Sequence, residues 1–390
     1  MQRYLSLDRF FQRRKNSRAR NRLGLKRPTR RLCHEHLEDR SLLAALTVAN
    51  DWDSGDGSLR SAIEFANDNE GPYTIEFDAD KLANATITLT SGHLHITDDL
   101  TIIGLGADQL TISGDGESRI FLVDDGDDAS TITVSISGLS LENGFTNDYG
   151  GAIFNREDLT MEDCTLSHNS ADSFGGGIYN MNGTLAITDS TFDNNSASSG
   201  GGRIYNSNST LTVTNSLLGA NTAQMGPDVV NYGTITATYN VIQDGADSDI
   251  VDGENGNQVG TTANPLDPLL DPAGLQDNGG PTQTIALMSG SPALATGNPD
   301  LAIDVDGEKL EFDQRGPGFQ RIIDEQVDVG ALQNQPPVAV DDEATTAADV
   351  AVVIDVLAND WDPDGDPLAV IAVTDPASGS AGINADYTIT

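Results

Sequence analysis

One six-residue phrase recurs three times in the middle of the chain: GGAIFN at 150–155, GGGIYN at 175–180 and GGRIYN at 201–206. The residues behind each copy stay in register. Leu159, Leu185 and Leu211 are spaced by 26 and 26, as are Met161, Ile187 and Val213, then Cys164, Ser190 and Ser216, then Leu166, Phe192 and Leu218. Asn169, Asn195 and Asn221 complete the set within HNSA, NNSA and ANTA. A looser copy, VSISGLSLENG (134–144), places Asn143 26 residues before Asn169, and another follows in NYGTITATYNVI (231–242). A near-constant period of this length marks units that bury their faces only against their neighbours.

The units contain LTMED, LAITD and LTVTN, alternating apolar and polar residues rich in Thr and β-branched side chains, which read as short strands. No helical period of useful length separates them. The expected fold is therefore all-β, a right-handed parallel β-helix, each coil stacked on the last at about 4.8 Å. Glycine pairs then serve sharp turns, and Asn169, Asn195 and Asn221 form an amide ladder that satisfies turn backbone. Leu159, Leu185 and Leu211 stack inside with Ile153, Ile178 and Ile204. Phe154, Tyr179 and Tyr205 form an adjacent row, read as core rather than as a sugar platform. Arg203, which replaces Ala152 and Gly177 in register, is expected to point outward, as is the row Asp163, Asp189 and Asn215.

Charge is distributed unevenly. Residues 1–40 carry thirteen Lys/Arg against four Asp/Glu, out of chain totals of 21 and 60, so the body is strongly acidic. That excludes nucleic acid as a partner, because phosphates demand a basic footprint, and it disfavours anionic lipid. Of the two cysteines, Cys33 lies in the basic leader and Cys164 on a repeat position, so no disulfide framework is expected and Cys164 reads as a small buried residue. No apolar run reaches the ~18 residues of a membrane-spanning helix.

Several segments resemble known families. LEDRSLLA (37–44) looks like the N-terminal motif of large exported planctomycete proteins, with Asp39 where many members have proline. GGAI (150–153) and FDNN (192–195) resemble the GGAI and FxxN repeats of polymorphic outer-membrane proteins, which are β-helical. GDGSLRSAIEFAN (55–67) resembles the segment that opens many bacterial secreted β-helices. Within it Leu59, Ile63 and Ala66 share one helical face behind Ser58 as N-cap, giving a helix that caps the stack. The segments 267–293 and 313–332 look like the choice-of-anchor Q domain. These resemblances imply an exported or surface-attached protein.

After NQPPVAVDD (334–342), a proline-marked linker, residues 336–390 resemble cadherin-like, Ig-sandwich modules. Such a sandwich needs about 100 residues, so an incomplete module is expected. Asp360, Asp362, Asp364 and Asp366 alternate around Gly365. They read either as Ca²⁺ ligands, since a hard cation takes several carboxylate oxygens, or as an acidic solvated turn. The expected organisation is a disordered leader at 1–45, the β-helix at 46–333 and the partial module at 334–390.

Catalytic motifs are sparse. Asp163 and Asp189 could offer the carboxylate pair of a glycosidase, but Asn215 follows them in register. Arg119, Arg156 and Arg203, the basic residues within the coils, sit in no Asp-rich motif. His93 and His95 share a strand face, and CHEH (33–36) falls in the leader. The sequence favours a non-catalytic, extracellular structural or adhesive protein whose partners are surface polysaccharide or protein. A polysaccharide lyase or glycosidase, and a calcium-stabilised glycan-binding module, are the alternatives.

Overall fold

The computed structural model describes residues 44–390 apart from 70, 106–109, 128, 279–282, 305, 306, 348, 366 and 375. The leader expected at 1–45, with Cys33 and the CHEH segment, therefore lies almost wholly outside the described residues, as does Asp366.

The chain winds into a parallel β-helix, right-handed as parallel crossovers are. One circuit runs through Ile178–Met181, Thr184–Thr188, Thr191–Asp193 and Ser196–Gly200 and returns at Ile204. Each segment pairs in parallel with its counterpart one coil away. The Cα partners are Leu159, Leu185 and Leu211, Ile153, Ile178 and Ile204, and Leu166, Phe192 and Leu218. Three parallel sheets of twelve, eight and four strands result. The largest begins as two strand rows, which fuse where Ile204–Thr214 passes through the corner unbroken. Alternation makes one side of every strand interior. Leu185, Ile187, Phe192, Ile178 and their partners above and below are sealed in one continuous core.

The corners stack as regularly as the strands. Asp163, Asp189 and Asn215 hold φ of 47–49°, and Gly150, Gly175 and Gly201 hold φ of 60–69°. Asn and Asp enter the left-handed region more readily than other non-glycine residues, so this row marks a turn. At Gly150 a Cβ would lie 2.2 Å from the Ile153 carbonyl oxygen, which explains the invariant first glycine of the phrase.

Side-chain ladders close three corners. Asn169 Nδ2 donates to Asn195 Oδ1 at 2.9 Å and Asn195 Nδ2 to Asn221 Oδ1 at 3.4 Å. A second, tighter ladder uses the last residue of the repeated phrase: Asn155 to Asn180, Asn180 to Asn206 and Asn206 to Asn231, at 2.8, 2.9 and 2.8 Å. A third links backbone to side chain, with Cys164 N donating to Ser190 Oγ, Ser190 N to Ser216 Oγ and Ser216 N to Asn240 Oδ1. Asn143 is not part of the first ladder. The coil there is one residue shorter, with Ser140 opposite Thr165, so Gly144 N meets Asn169 Oδ1 and Asn143 falls on the left-handed corner at φ 52°.

The helix Leu59–Asp68 forms as its spacing dictates. Ser58 Oγ accepts from Ser61 N at 3.2 Å, and Leu59, Ile63 and Ala66 are buried. It packs on the strands Ala44–Val48, Tyr73–Phe77 and Leu94–Ile96 at the start of the stack. Beyond the coils, the described residues of 260–335 run as an irregular strap. In 334–390 the described residues form isolated antiparallel bridges, Val338 with Trp361 and Ile354 and Ile383 with Ile389, rather than the continuous strands its alternation suggests.

Replacing Asn180 by Ala leaves Asn206 Oδ1 without its donor inside the core and takes one acceptor from Asn155 Nδ2, which keeps Glu157 O and Thr184 O. The expected cost is about 2–3 kcal/mol, against near-neutrality for Asn208→Gly at an exposed left-handed position. Urea midpoints of the two variants test the difference.

Candidate functional site

Three regions bring polar chemistry together. The first lies under the strap and corrects two outward assignments. The side chains of Asp163 and Asp189 do not face solvent. Asp189 is fully buried, and Arg321, brought back from the strap, forms an ion pair with it. The strap is also tied down by Thr165 Oγ1 donating to Gln314 Oε1 at 2.8 Å, Ala331 N to Thr191 Oγ1 at 3.0 Å and Gly330 N to Asn215 O at 2.8 Å. A substrate cannot reach the Asp163–Asp189 row while this strap is seated. Burial, reinforced by Asp189 and Asp304 and opposed by Arg321, pushes the Glu162 carboxyl up to about 8. Burial likewise raises Asp163 and Asp189.

Arg203 is the second correction. It is fully buried, 5.5 Å above the Phe192 ring, donating to Phe192 O and to Gly219 O at 3.0 Å with Asp228 3.8 Å away. The residues at the same register in earlier coils are Ala152 and Gly177, and a Cβ at Gly177 would lie 2.8 Å from Arg203 O. Phe192 O and Gly219 O accept from Nη2, while Nε and Nη1 have no hydrogen-bond partner among the described residues.

The second region is the aromatic row. Phe154 and Tyr179 stack at 5.5 Å with planes 7° apart, and Tyr179 and Tyr205 at 5.2 Å and 6°. Arg119 covers the other face of Phe154 at 5.3 Å. Tyr179 is buried and its neighbours half-buried. The ring faces are thus spent on each other and cannot stack on a sugar. Tyr232, which tilts 50° from Tyr205, ends the row and is mostly exposed.

The third region is a concave polar groove of about 420 Å³ outside the corner held by the second asparagine ladder. Arg156, Asn182, Thr184, Asn208, Thr210 and Thr234 line it. Arg156 Nη1 stands 3.4 Å from Asp124 Oδ2.

Two acidic groups bear on metal binding. Asp124, Asp125 and Glu157 bring ligand oxygens within 4.8 Å of one another. Their oxygens already accept bonds: Glu157 from Asp125 N and Ile132 N, Asp125 from Asp127 N and Ser130 Oγ, and Asp124 from Gly126 N. In the C-terminal module Asp360 accepts from Val340 N at 2.7 Å and Asp362 from Asp364 N at 2.8 Å. Asp364 pairs with the buried Arg315 and accepts from Gln335 N at 2.6 Å. Arg315 also grips Asp313 at 2.7 Å, joining the module to the strap. His95 Nε2 lies 2.9 Å from Asp124 O, and its ring meets His93 edge-on at 6.3 Å. Cys164 is sealed in the core, where burial pushes its thiol up to about 12.

The seryl ladder, the buried arginines Arg203, Arg315 and Arg321 and the groove were not foreseen from sequence. A signal for the arginines existed, because cations are scarce in the body and two of them, Arg315 and Arg321, fall within one short segment.

The fold and its ladders define a parallel β-solenoid protein built on repeats. Residues 163–181 match the Chlamydia polymorphic membrane protein repeat, and residues 334–390 match the bacterial Ig domain. No curated protein matches the chain. Among the described residues no helix is long and apolar enough to cross a membrane.

The raised Glu162 carboxyl has a consequence for stability. Its folded-state pKa of about 8 lies above the ordinary 4.5, so folding takes up a proton between these values. The stabilisation is full below pH 4.5 and fades as pH climbs towards 8. Glu162→Gln is expected to flatten part of that decline in urea midpoints. A decline identical to that of the native chain would contradict the assignment.

Proposed function

We propose that this is an exported cell-surface protein with a structural or adhesive role and no chemistry of its own. The observation that carries the reading is the column of parallel coils, whose middle matches a repeat named for a polymorphic membrane protein. Such repeats belong to outer-membrane surface proteins of adhesin type. A stacked column presents side chains in fixed rows along its length, which suits an extended binding or spacing element. The described residues of 267–293 and 313–332, segments that resemble the choice-of-anchor Q domain, belong to the strap over the coils, and the Ig-like module follows as a spacer.

The runner-up, a polysaccharide lyase or glycosidase, draws its carboxylate pair from Asp163 and Asp189, whose burial under the strap counts against it. For the C-terminal module we retain Ca²⁺ as a proposed ligand of Asp360, Asp362, Asp364 and Asp366. Binding at Asp364 has to compete with Arg315.

Protease treatment of intact cells tests the surface assignment: the chain is expected to be cleaved without lysis, and full protection until lysis would overturn it. Release of sugar from polysaccharides by the purified protein would overturn the non-catalytic part. Chelation is expected to lower the melting of the C-terminal module and spare the coils, and melts unchanged by EDTA would remove the Ca²⁺ assignment.

A further inference from the structure

The groove at the asparagine corner is a concave surface lined by side chains whose hydrogen-bonding capacity is partly unspent. Its floor is backbone. A Cβ at Gly183 would lie 2.5 Å from Glu157 O, and one at Gly233 2.1 Å from Ser209 O, so glycine is what lets the corner fold inward and leave room above it. One wall is a row of threonines. Thr184, Thr210 and Thr234 are Cα partners in successive coils, so their hydroxyls recur about every 4.8 Å along the axis. All three are exposed, and none of their hydroxyls bonds to another described residue. On the other wall Asn208 Nδ2 donates to Asn182 Oδ1 at 2.9 Å, which leaves Asn182 Nδ2 and Asn208 Oδ1 turned to solvent.

The interior behaves differently. Asn155, Asn180 and Asn206 spend their amide hydrogens on the next coil and on the carbonyls of Glu157, Thr210 and Ser209. The same corner thus has a saturated inner face and an unsaturated outer one. Its volume falls in the range of ligand clefts, about 300–1,000 Å³.

We propose that this groove binds a neutral, hydroxyl-rich glycan strand laid along the solenoid axis, a refinement that rests on the adhesive reading above. The lining dictates the chemistry. It offers no aromatic or aliphatic anchor of the kind that dominates protein–protein recognition, so a peptide finds no hot spot. Asp158 lies on the rim, Asp127 stands nearby, and Arg156, the one cation among the described lining residues, already faces Asp124. A polyuronate would meet these acids and the strongly acidic body. A chain of neutral sugars meets alternating donors and acceptors, rung by rung, with no charge to repel.

Affinity electrophoresis of the full chain tests this, using gels that contain a β-glucan, a xylan, a mannan or polygalacturonate. At least one neutral polymer is expected to retard the protein more than polygalacturonate does. The triple change Thr184→Val, Thr210→Val and Thr234→Val keeps shape and β-branching and is expected to weaken that retardation at least tenfold with an unchanged melting temperature. Asn208→Gly, on the opposite wall, is expected to weaken it as well should the triple variant melt lower. Retardation by none of the neutral polymers, equal retardation by polygalacturonate, or undiminished binding in the variants overturns the proposal. Surface exposure in intact cells is measured separately, so loss of the groove assignment leaves that reading standing.

Discussion

Everything in this molecule follows from parallel pairing between equivalent segments one coil apart. A parallel ladder that keeps register forces like residues above like. Any side chain that works at one level therefore works at the next, and any that fails there fails repeatedly. Leucine, isoleucine and phenylalanine fill the interior because each packs on its own counterpart. The corners favour Gly, Asn and Asp for a different reason: the backbone there turns left-handed or touches the coil beside it, although His168, Ala220 and Tyr239 also hold left-handed corner positions.

The stacked asparagines inside the column are tolerated because the same repetition satisfies them. A buried amide with no partner is costly, yet Asn180 receives a hydrogen from Asn155 and donates to Asn206, 2.8 and 2.9 Å away. Where the repetition stops, another device takes over. Asn221 turns to Asp228, which faces Arg203, and Asn231 turns to Asp249. The irregular strap follows the same logic with charges, setting Arg321 against Asp189 and Arg315 against Asp313 and Asp364.

This division explains what could be read from the chain alone. The strand rows and the ladder of Asn169, Asn195 and Asn221 translate a sequence interval directly into a spatial one, so periodicity was sufficient to find them. Asn143 misled because one coil is 25 residues rather than 26, which moves the ladder position to Gly144. Arg203 misled because its register positions hold Ala152 and Gly177, residues too small to reveal which way a side chain at that register points. Asp163 and Asp189 misled for a non-local reason: nothing in their repeat announces that Arg321, 132 residues beyond Asp189, will cover them. The groove was invisible because its residues are ordinary exposed Thr and Asn. Only the inward fold of the corner makes them converge.

The functional reading inherits this structure. A column that spends its interior polarity on itself and leaves one corner unsaturated is suited to holding and displaying. The buried carboxylates beneath the strap are structural in position. The central claim is that equivalent residues one circuit apart are immediate neighbours, and the spacing of outward positions tests it most directly. Ser135, Thr160, Ala186, Thr212 and Thr236 are successive Cα partners. Spin labels placed at Ser135 and Thr236 should therefore give a narrow distance distribution near four inter-strand steps, about 19 Å between backbones. A broad distribution centred well beyond that separation would contradict the stacked column.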